Sequence, residues 1–204
     1  MESTDKWMGW HVVLASASPR RRELLGQIGI EPEIRPISME ESSEETSPEE
    51  LVMELSRQKA EDVAAGCSQG TMVIGADTVV AAGDEILGKP GTPERAGQMI
   101  ERLQGCSHQV YTGVTVLLCL GGGKTHGITF AERTEVHVYP MTASEINEYA
   151  LCGEPLDKAG AYGIQGRFAA YIKGIDGDYS NVVGLPLGRL CQEIKGLLED
   201  QEND

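Results

Sequence analysis

A short apolar run that is followed at once by a helix-start signal is the feature that most constrains the fold of this chain. Residues 11–15 read HVVLA, which is typical of a buried strand, and Ser18 and Pro19 follow closely. Serine is favoured at the position that caps a helix N-terminus, and proline is favoured at the first helical position. The pattern predicts a strand that passes directly into a helix ending near Ile28. Strand–helix units of this kind build α/β folds.

Later segments continue this alternation. Two capping boxes, Ser47–Glu50 and Thr142–Glu145, predict helices, and Met72–Gly75 has the composition of a buried strand. Two β-rich runs, Gln109–Leu120 and Thr125–Val138, are joined by three glycines and predict a long hairpin. We therefore expect an α/β fold with a mixed sheet flanked by helices.

The last third of the chain carries weaker signals, and nothing divides the chain. Phe168–Ile175 is strand-like, and Leu185–Leu198 has the pattern of a final helix. Because no repeat and no linker-like segment is visible, the sequence predicts a single domain over residues 1–204, with its core at about residues 11–198.

Charge and cysteine content limit the classes of partner. Seventeen basic residues against 32 acidic ones give a formal net charge of −15. Such a surface repels phosphate polymers and anionic lipid, which disfavours nucleic acids and membranes as partners. No apolar run approaches the ~20 residues of a membrane span. The five cysteines form no C-x-x-C pair, which indicates reduced thiols in a cytoplasmic protein.

Three arginines crowd the predicted start of the first helix. Arg20, Arg21 and Arg22 would lie in its first turn, where the helix dipole makes each exposed cation unfavourable by about 0.3–1 kcal/mol. A bound anion would reverse that sign, with help from free backbone N–H groups and the hydroxyls of Ser16 or Ser18. The alternative is a solvated basic turn that nearby glutamates neutralise.

A carboxylate and two lysines complete a candidate phosphate site. Asp77 lies just past the buried-type strand, where small neighbours would leave room for a ligand, although an Asp there is often only a turn former. Lys59 lies on the apolar stripe of its helix and would point inward to an acid or a phosphate, unless it extends to the surface. Lys89 occupies a Gly-Lys-Pro turn and is either a phosphate ligand or simply exposed.

An acidic loop near residue 41 offers hard oxygen ligands for Mg²⁺, among them Glu41. Cations, a metal and a water-activating carboxylate are together what cleavage of a nucleotide phosphoanhydride requires. The four histidines stand singly on strand-like segments and favour core or surface roles. No Ser/His/Asp triad can be argued from the sequence, and the Gly-Lys-Thr at 123–125 is typical of a hairpin turn, since a strand follows it.

Five motifs in order resemble the Maf family of nucleoside triphosphate pyrophosphatases. They are SASPRRRELL, GADTVV, GKP, DKAGAYGIQG and NVVGLPL, and they cover the chain from about His11 to Leu198. The resemblance implies an elongated mixed sheet in two lobes with a cleft, similar to the inosine triphosphate pyrophosphatase fold. It also implies hydrolysis between the α- and β-phosphates of a nucleoside triphosphate, with a divalent metal such as Mg²⁺ or Mn²⁺.

The resemblance also assigns roles to residues. Asp77 matches the proton acceptor, with Lys59 and Lys89 beside it in catalysis and Asp77 and Glu41 at the metal. The substrate-binding and specificity positions are Ser16, Arg20, Arg21, Thr78 and Gln165. GADT together with AYGIQ resembles the subgroup acting on dTTP and UTP, and a Gln amide can match the O4/N3–H edge of thymine or uracil.

Two functions are compatible with the sequence. The first is the dTTP and UTP pyrophosphatase. The second is a nucleotide-binding regulator of cell division or septum formation with little catalysis, which would use the same cations but not Asp77. The resemblance is compatible with a homodimer, and the sequence leaves the oligomeric state open.

Overall fold

The computed structural model describes Trp7, residues 9–37 and residues 42–203. Its seven strands, β1 to β7, are His11–Ala15, Glu33–Ile34, Thr71–Ala82, Glu85–Leu87, Ser107–Gly121, Lys124–Val138 and Ile172–Asp176. Its six α-helices, α1 to α6, are Pro19–Gln27, Pro48–Ala64, Pro93–Leu103, Ala143–Leu151, Tyr179–Val183 and Leu187–Asn203. Three short 3₁₀ helices lie between α4 and β7, at Glu154–Asp157, Ala159–Ala161 and Arg167–Tyr171.

The strands form one mixed sheet in the order β2-β1-β3-β5-β6-β7, with β4 paired to β3. β1 is parallel to both β2 and β3, whereas β4 is antiparallel to β3 and β7 is antiparallel to β6. The predicted α/β fold with a mixed sheet flanked by helices is confirmed. Within the described residues no helix is long and apolar enough to cross a membrane.

The predicted passage from strand to helix at the start of the chain is confirmed. β1 ends at Ala15, Ser18 takes the extended cap conformation, and Pro19 is the first residue of α1. The Ser18 side chain makes no capping hydrogen bond. The end of the helix at Gln27 also agrees with the prediction, because the chain turns at Ile28 and Gly29.

Four other predictions meet mixed outcomes. The hairpin and the capping box of α4 are confirmed, with Thr142 and Glu145 exchanging the two expected contacts. At the start of α2 Ser47 is the cap residue, but its side chain makes no capping bond, so the predicted capping box is wrong. Phe168–Ile175 is a 3₁₀ turn followed by a strand, because the buried Phe168 packs among aromatic rings instead of pairing with β6.

The chain forms two compact units, each with its own buried core. The first contains the residues up to Asp77, Thr112–Glu132 and the residues from Gly184 onward, and the second contains Thr78–Tyr111 and Arg133–Val183. The first core packs β1, β3 and α2 together around residues such as Val13 and Val73. The second core packs α3 and α4 with Phe168 and Tyr162. One domain over residues 1–204 stays a prediction.

Candidate active site

The register of two parallel strands places the candidate groups of the first unit beside one another. β1 pairs with β3 as far as Ala15 and Gly75, so Ser16 and Asp77 follow the same paired position on neighbouring strands. The carboxyl ends of parallel strands are where α/β proteins place ligands. β3 continues to Ala82, so the prediction that Asp77 lies just past its strand is wrong: Asp77 lies within β3, beside the end of β1 from which the arginine-bearing turn of α1 follows.

Two glycines allow α2 to lie directly on the sheet. A Cβ atom at Gly75 of β3 would stand 2.4 Å from the backbone oxygen of Ser56, and one at Gly113 of β5 would stand 2.1 Å from that of Val52. No side chain fits at either position. The space at Gly75, which the sequence suggested for a ligand, is thus filled by the helix, and that interpretation is wrong.

The close approach of α2 delivers a buried lysine to the carboxylate. Lys59 Nζ lies 2.5 Å from Asp77 Oδ1 and 3.5 Å from the carbonyl oxygen of Ala76. Side-chain exposure is only 9% for Lys59 and 17% for Asp77. The predicted inward direction of Lys59 is therefore confirmed. Because an ion pair this shielded is hard to displace by water, it holds the carboxylate in one place while leaving part of it accessible.

Arg21 is the buried member of the arginine cluster. Its Nη1 donates to Ser16 Oγ at 3.0 Å, and its Nε donates to the carbonyl oxygen of Gly184 at 2.8 Å. Ser16 Oγ also accepts from the backbone N–H of Ser18 at 3.2 Å. Ser16 and Arg21 thus form one hydrogen-bonded group that ties the first turn of α1 to the start of α6.

Arg20 and Arg22 differ from Arg21 and from each other. Arg22 is exposed and lies 3.5 Å from Glu31, a surface ion pair of the kind worth about 0–1 kcal/mol. Arg20 is partly exposed, and it has no ion pair or hydrogen bond among the residues that the structure describes. Of the three arginines, Arg20 is thus the one for which the described part of the chain supplies no ion-pair or hydrogen-bond partner.

In the second unit, Thr78 is partly buried, whereas Lys89 and Gln165 are exposed. The turn that carries Lys89 joins the DKAGAYG segment, because Gly160 N–H donates to the Gly88 carbonyl oxygen at 3.2 Å. Gly160 has a φ of +64°, and a Cβ there would come within 2.7 Å of Val80. The structure therefore places two of the predicted motifs side by side in this unit.

The two predicted metal ligands are Asp77 and Glu41. Glu41 lies outside the described residues. The described part of the chain contains no group of three His, Cys, Asp or Glu side chains able to hold a metal ion. Mg²⁺ in phosphate-transfer sites is usually held by one or two carboxylates together with substrate phosphates, and the partly exposed Asp77 suits that arrangement.

The structure contains a hydrogen-bonded Ser–His–Asp series that sequence pattern does not predict. Ser107 Oγ lies 2.7 Å from His137 Nδ1, and His137 Nε2 lies 2.9 Å from Asp176 Oδ2. The three residues stand on β5, β6 and β7, so only the sheet register brings them together. Ser107 lies in a regular strand and the Asp176 side chain is 81% exposed. These three side chains therefore form a hydrogen-bonded surface network, since a nucleophilic triad requires a shielded Asp and a strained, accessible Ser.

His108 confirms the expected core role of at least one histidine. It is 1% exposed, and its Nε2 lies 2.8 Å from the hydroxyl of Tyr162. Burial, with a smaller contribution from His137, lowers the pKa of His108 to about 4. The ring therefore stays neutral at physiological pH.

Comparisons with known proteins agree with the motifs. The model of the family described as Maf-like protein matches residues 11–197. A dTTP/UTP pyrophosphatase of Agathobacter rectalis is 52% identical, with 91% of this chain and 97% of that protein covered. Proteins of the same name from Lachnoclostridium phytofermentans and Bacillus cereus are 48% and 45% identical, covering 91% and 90% of this chain and 94% of each relative.

Among solved structures, two similar chains are more distant. A dITP/XTP pyrophosphatase of Mycobacterium abscessus has a TM-score of 0.35 and 13% identity, covering 64% of this chain and 75% of that one. The Ham1 protein of Staphylococcus aureus has a TM-score of 0.40 and 16% identity, covering 62% and 71%.

Proposed function

Because the chain belongs to the Maf family, we propose that it hydrolyses dTTP and UTP to the nucleoside monophosphate and pyrophosphate. Relatives at 45–52% identity over about nine tenths of the chain carry the name dTTP/UTP pyrophosphatase. The structural observation that supports the proposal is the Lys59–Asp77 pair on β3, beside the end of β1 from which the arginine turn follows. The protein is thus a hydrolase that acts on phosphoanhydride bonds.

Asp77 is the group that takes a proton from water. A carboxylate within hydrogen-bond reach of a water can accept its proton, and Lys59 fixes this carboxylate through Oδ1. Water then adds to phosphorus, the bond between the α- and β-phosphates breaks, and pyrophosphate leaves. Positioning and charge stabilisation carry most of phosphoryl-transfer catalysis, so a fixed carboxylate is more useful than a mobile one.

Arg20 and Lys89 supply charge to the phosphate oxygens in this proposal. A guanidinium can bind a phosphate through two parallel hydrogen bonds, and an ammonium binds it as a point charge. Arg21 and Ser16 keep the arginine turn in place by their contacts with each other and with Gly184. Thr78 and Gln165 contribute to base choice.

A divalent cation belongs to the proposal. Asp77, with Glu41, would hold Mg²⁺ or Mn²⁺, because both ions prefer carboxylate oxygens. A bound ion would neutralise charge that develops on the phosphate oxygens. We also place the protein in the cytoplasm, which the five free cysteines support. A homodimer and the absence of a nucleic-acid partner stay predictions.

Product analysis across the canonical nucleoside triphosphates tests the function. With Mg²⁺ or Mn²⁺, dTTP and UTP should yield monophosphate and pyrophosphate at rates at least about tenfold above those of purine nucleotides. Orthophosphate as the product would contradict the proposal. Tight nucleotide binding without turnover would instead favour the regulator that the sequence left in view.

Asp77→Asn tests the role of the carboxylate. Removing a general base typically costs about 10²–10⁴ in rate, and the melting temperature should fall as well, because the amide leaves the shielded Lys59 ammonium without its ion pair. Asp84→Asn is the matched control, because Asp84 lies in the exposed turn between β3 and β4. Full activity of Asp77→Asn would remove this residue from the mechanism.

A further inference from the structure

One carboxylate connects the helix α4 to the segment that carries Gln165. Glu154 Oε1 accepts a hydrogen bond from the hydroxyl of Tyr149 at 2.9 Å, and Glu154 Oε2 accepts one from the backbone N–H of Arg167 at 2.9 Å. Tyr149 lies in α4, and Arg167 follows Gln165 by two positions. Neither the capping pattern nor the helical periodicity of the sequence singles out Glu154.

Two glycines press the same segment against charged side chains. A Cβ at Gly166 would stand 2.2 Å from Glu154 Oε1, and a Cβ at Gly163 would stand 2.9 Å from Lys158 Cε. Lys158 Nζ in turn donates to the backbone oxygen of Glu154 at 2.6 Å. Ile164 and Gln165 therefore lie between two glycines that both pack against the side chains of Glu154 and Lys158.

Glu154 is hydrogen-bonded to a buried side chain of the second core. Tyr149 is 4% exposed, and its ring lies 5.1 Å from that of Phe168. Burial, and secondly the hydrogen bond to Glu154, raise the pKa of Tyr149 well above its usual value. The phenol therefore stays protonated and keeps donating to the carboxylate.

We propose that Glu154 is a positioning residue for pyrimidine selection: through the Arg167 amide and the Gly166 contact it holds Gln165 in the place from which its amide reads the base. Glu154 itself does not touch substrate. The proposal rests on the proposed function, since it concerns the base preference of that same reaction.

Two variants of Glu154 separate positioning from general support. A Gln at this position can still accept from the Arg167 N–H and can donate to the Tyr149 oxygen, whereas Ala loses both bonds. For Glu154→Ala we expect kcat/KM for dTTP and UTP to fall about tenfold, mainly through KM, with purine nucleotides within about threefold of wild type. Glu154→Gln should stay within about threefold for every nucleotide.

Amide hydrogen exchange gives a second readout without substrate. In Glu154→Ala the amides of residues 163–167 should exchange faster than in the wild type, and in Glu154→Gln they should not. Glu148→Ala removes an exposed glutamate from the same helix and should change neither exchange nor base preference. If Glu154→Ala fails to fold, Tyr149→Phe removes only the donor hydroxyl and should show a smaller loss of preference in the same direction.

The outcomes that overturn the proposal are distinct. An equal loss for all nucleotides would show general support and not positioning, and unchanged rates for every nucleotide together with unchanged exchange would show no role at all. A wild-type protein that hydrolyses no nucleotide would overturn the proposed function, and the inference with it. A wild-type protein that prefers pyrimidines beside a Glu154→Ala variant that prefers them equally would overturn the inference alone.

Discussion

Gly75→Ala is the substitution for which the structure gives the clearest expected magnitude. The new Cβ would stand 2.4 Å from the Ser56 oxygen, 2.8 Å from the Ala60 nitrogen and 3.0 Å from the Ala60 Cβ. Two of these atoms belong to the backbone of α2 and cannot rotate away. Relief to an ordinary separation of about 3.4 Å requires α2 to move by about 3.4 − 2.4 = 1 Å.

That displacement should be visible in stability and in activity. Overpacking of this kind costs about 1–3 kcal/mol of unfolding free energy. Because Lys59 directly precedes Ala60 on the displaced helix, its 2.5 Å contact with Asp77 lengthens as well. A misplacement near 1 Å in a catalytic group can cost about 10²-fold in rate, and we expect a loss of that order in kcat/KM for dTTP.

Urea unfolding and steady-state hydrolysis of dTTP measure the two effects. Gly26→Ala in α1 is the matched control, because a Cβ there meets nothing within 4 Å and should be neutral or stabilising by up to about 1 kcal/mol. A Gly75→Ala protein as stable and as active as the wild type would refute the packing of α2 on β3. Lost stability with full activity would refute the dependence of Asp77 on Lys59.

Two further predictions concern single side chains. Arg20→Gln should lower kcat/KM for dTTP by about 10–100-fold, the worth of a charge-assisted bond, whereas Arg22→Gln should stay within about twofold; equal effects would contradict the assignment of Arg20. His108 takes up a proton near pH 6.5 in the unfolded chain but only near pH 4 in the folded protein. The free energy of unfolding therefore includes the full contribution of neutral His108 above pH 6.5, and this contribution is lost as the pH falls. Urea unfolding should show a loss of about 2 kcal/mol between pH 7.5 and 5 that is absent in His108→Phe; parallel pH profiles of the two proteins would contradict it.

The parts of the site that sequence predicts are those that local pattern controls. The strand-to-helix passage at Ser18 follows from capping preferences, and the inward direction of Lys59 follows from its place on the apolar stripe of α2. Parallel pairing then places Asp77 beside the end of β1. The first two steps need no contact between distant residues, whereas the strand pairing is itself such a contact.

Other contacts depend on tertiary structure alone. The bond from Arg21 to Gly184 joins residues 163 positions apart, and no periodicity relates them. Glu154 meets Arg167 only because the intervening glycines let the segment fold back on it. The polar chain through Ser107, His137 and Asp176 arises in the same way, from strand register. Sequence pattern therefore predicts the local placement of single side chains more readily than the contacts between distant residues.

The three arginines at the start of α1 differ in how their unfavourable interaction with the helix dipole is offset. Each exposed cation at a helix N-terminus is unfavourable by about 0.3–1 kcal/mol. Arg21 offsets this by burying its guanidinium against Ser16 and Gly184, and Arg22 pairs with Glu31. Among the residues described, only Arg20 keeps the penalty without a partner. Binding of an anionic substrate relieves that penalty, which is why the largest loss of affinity should fall on Arg20 and not on its two neighbours.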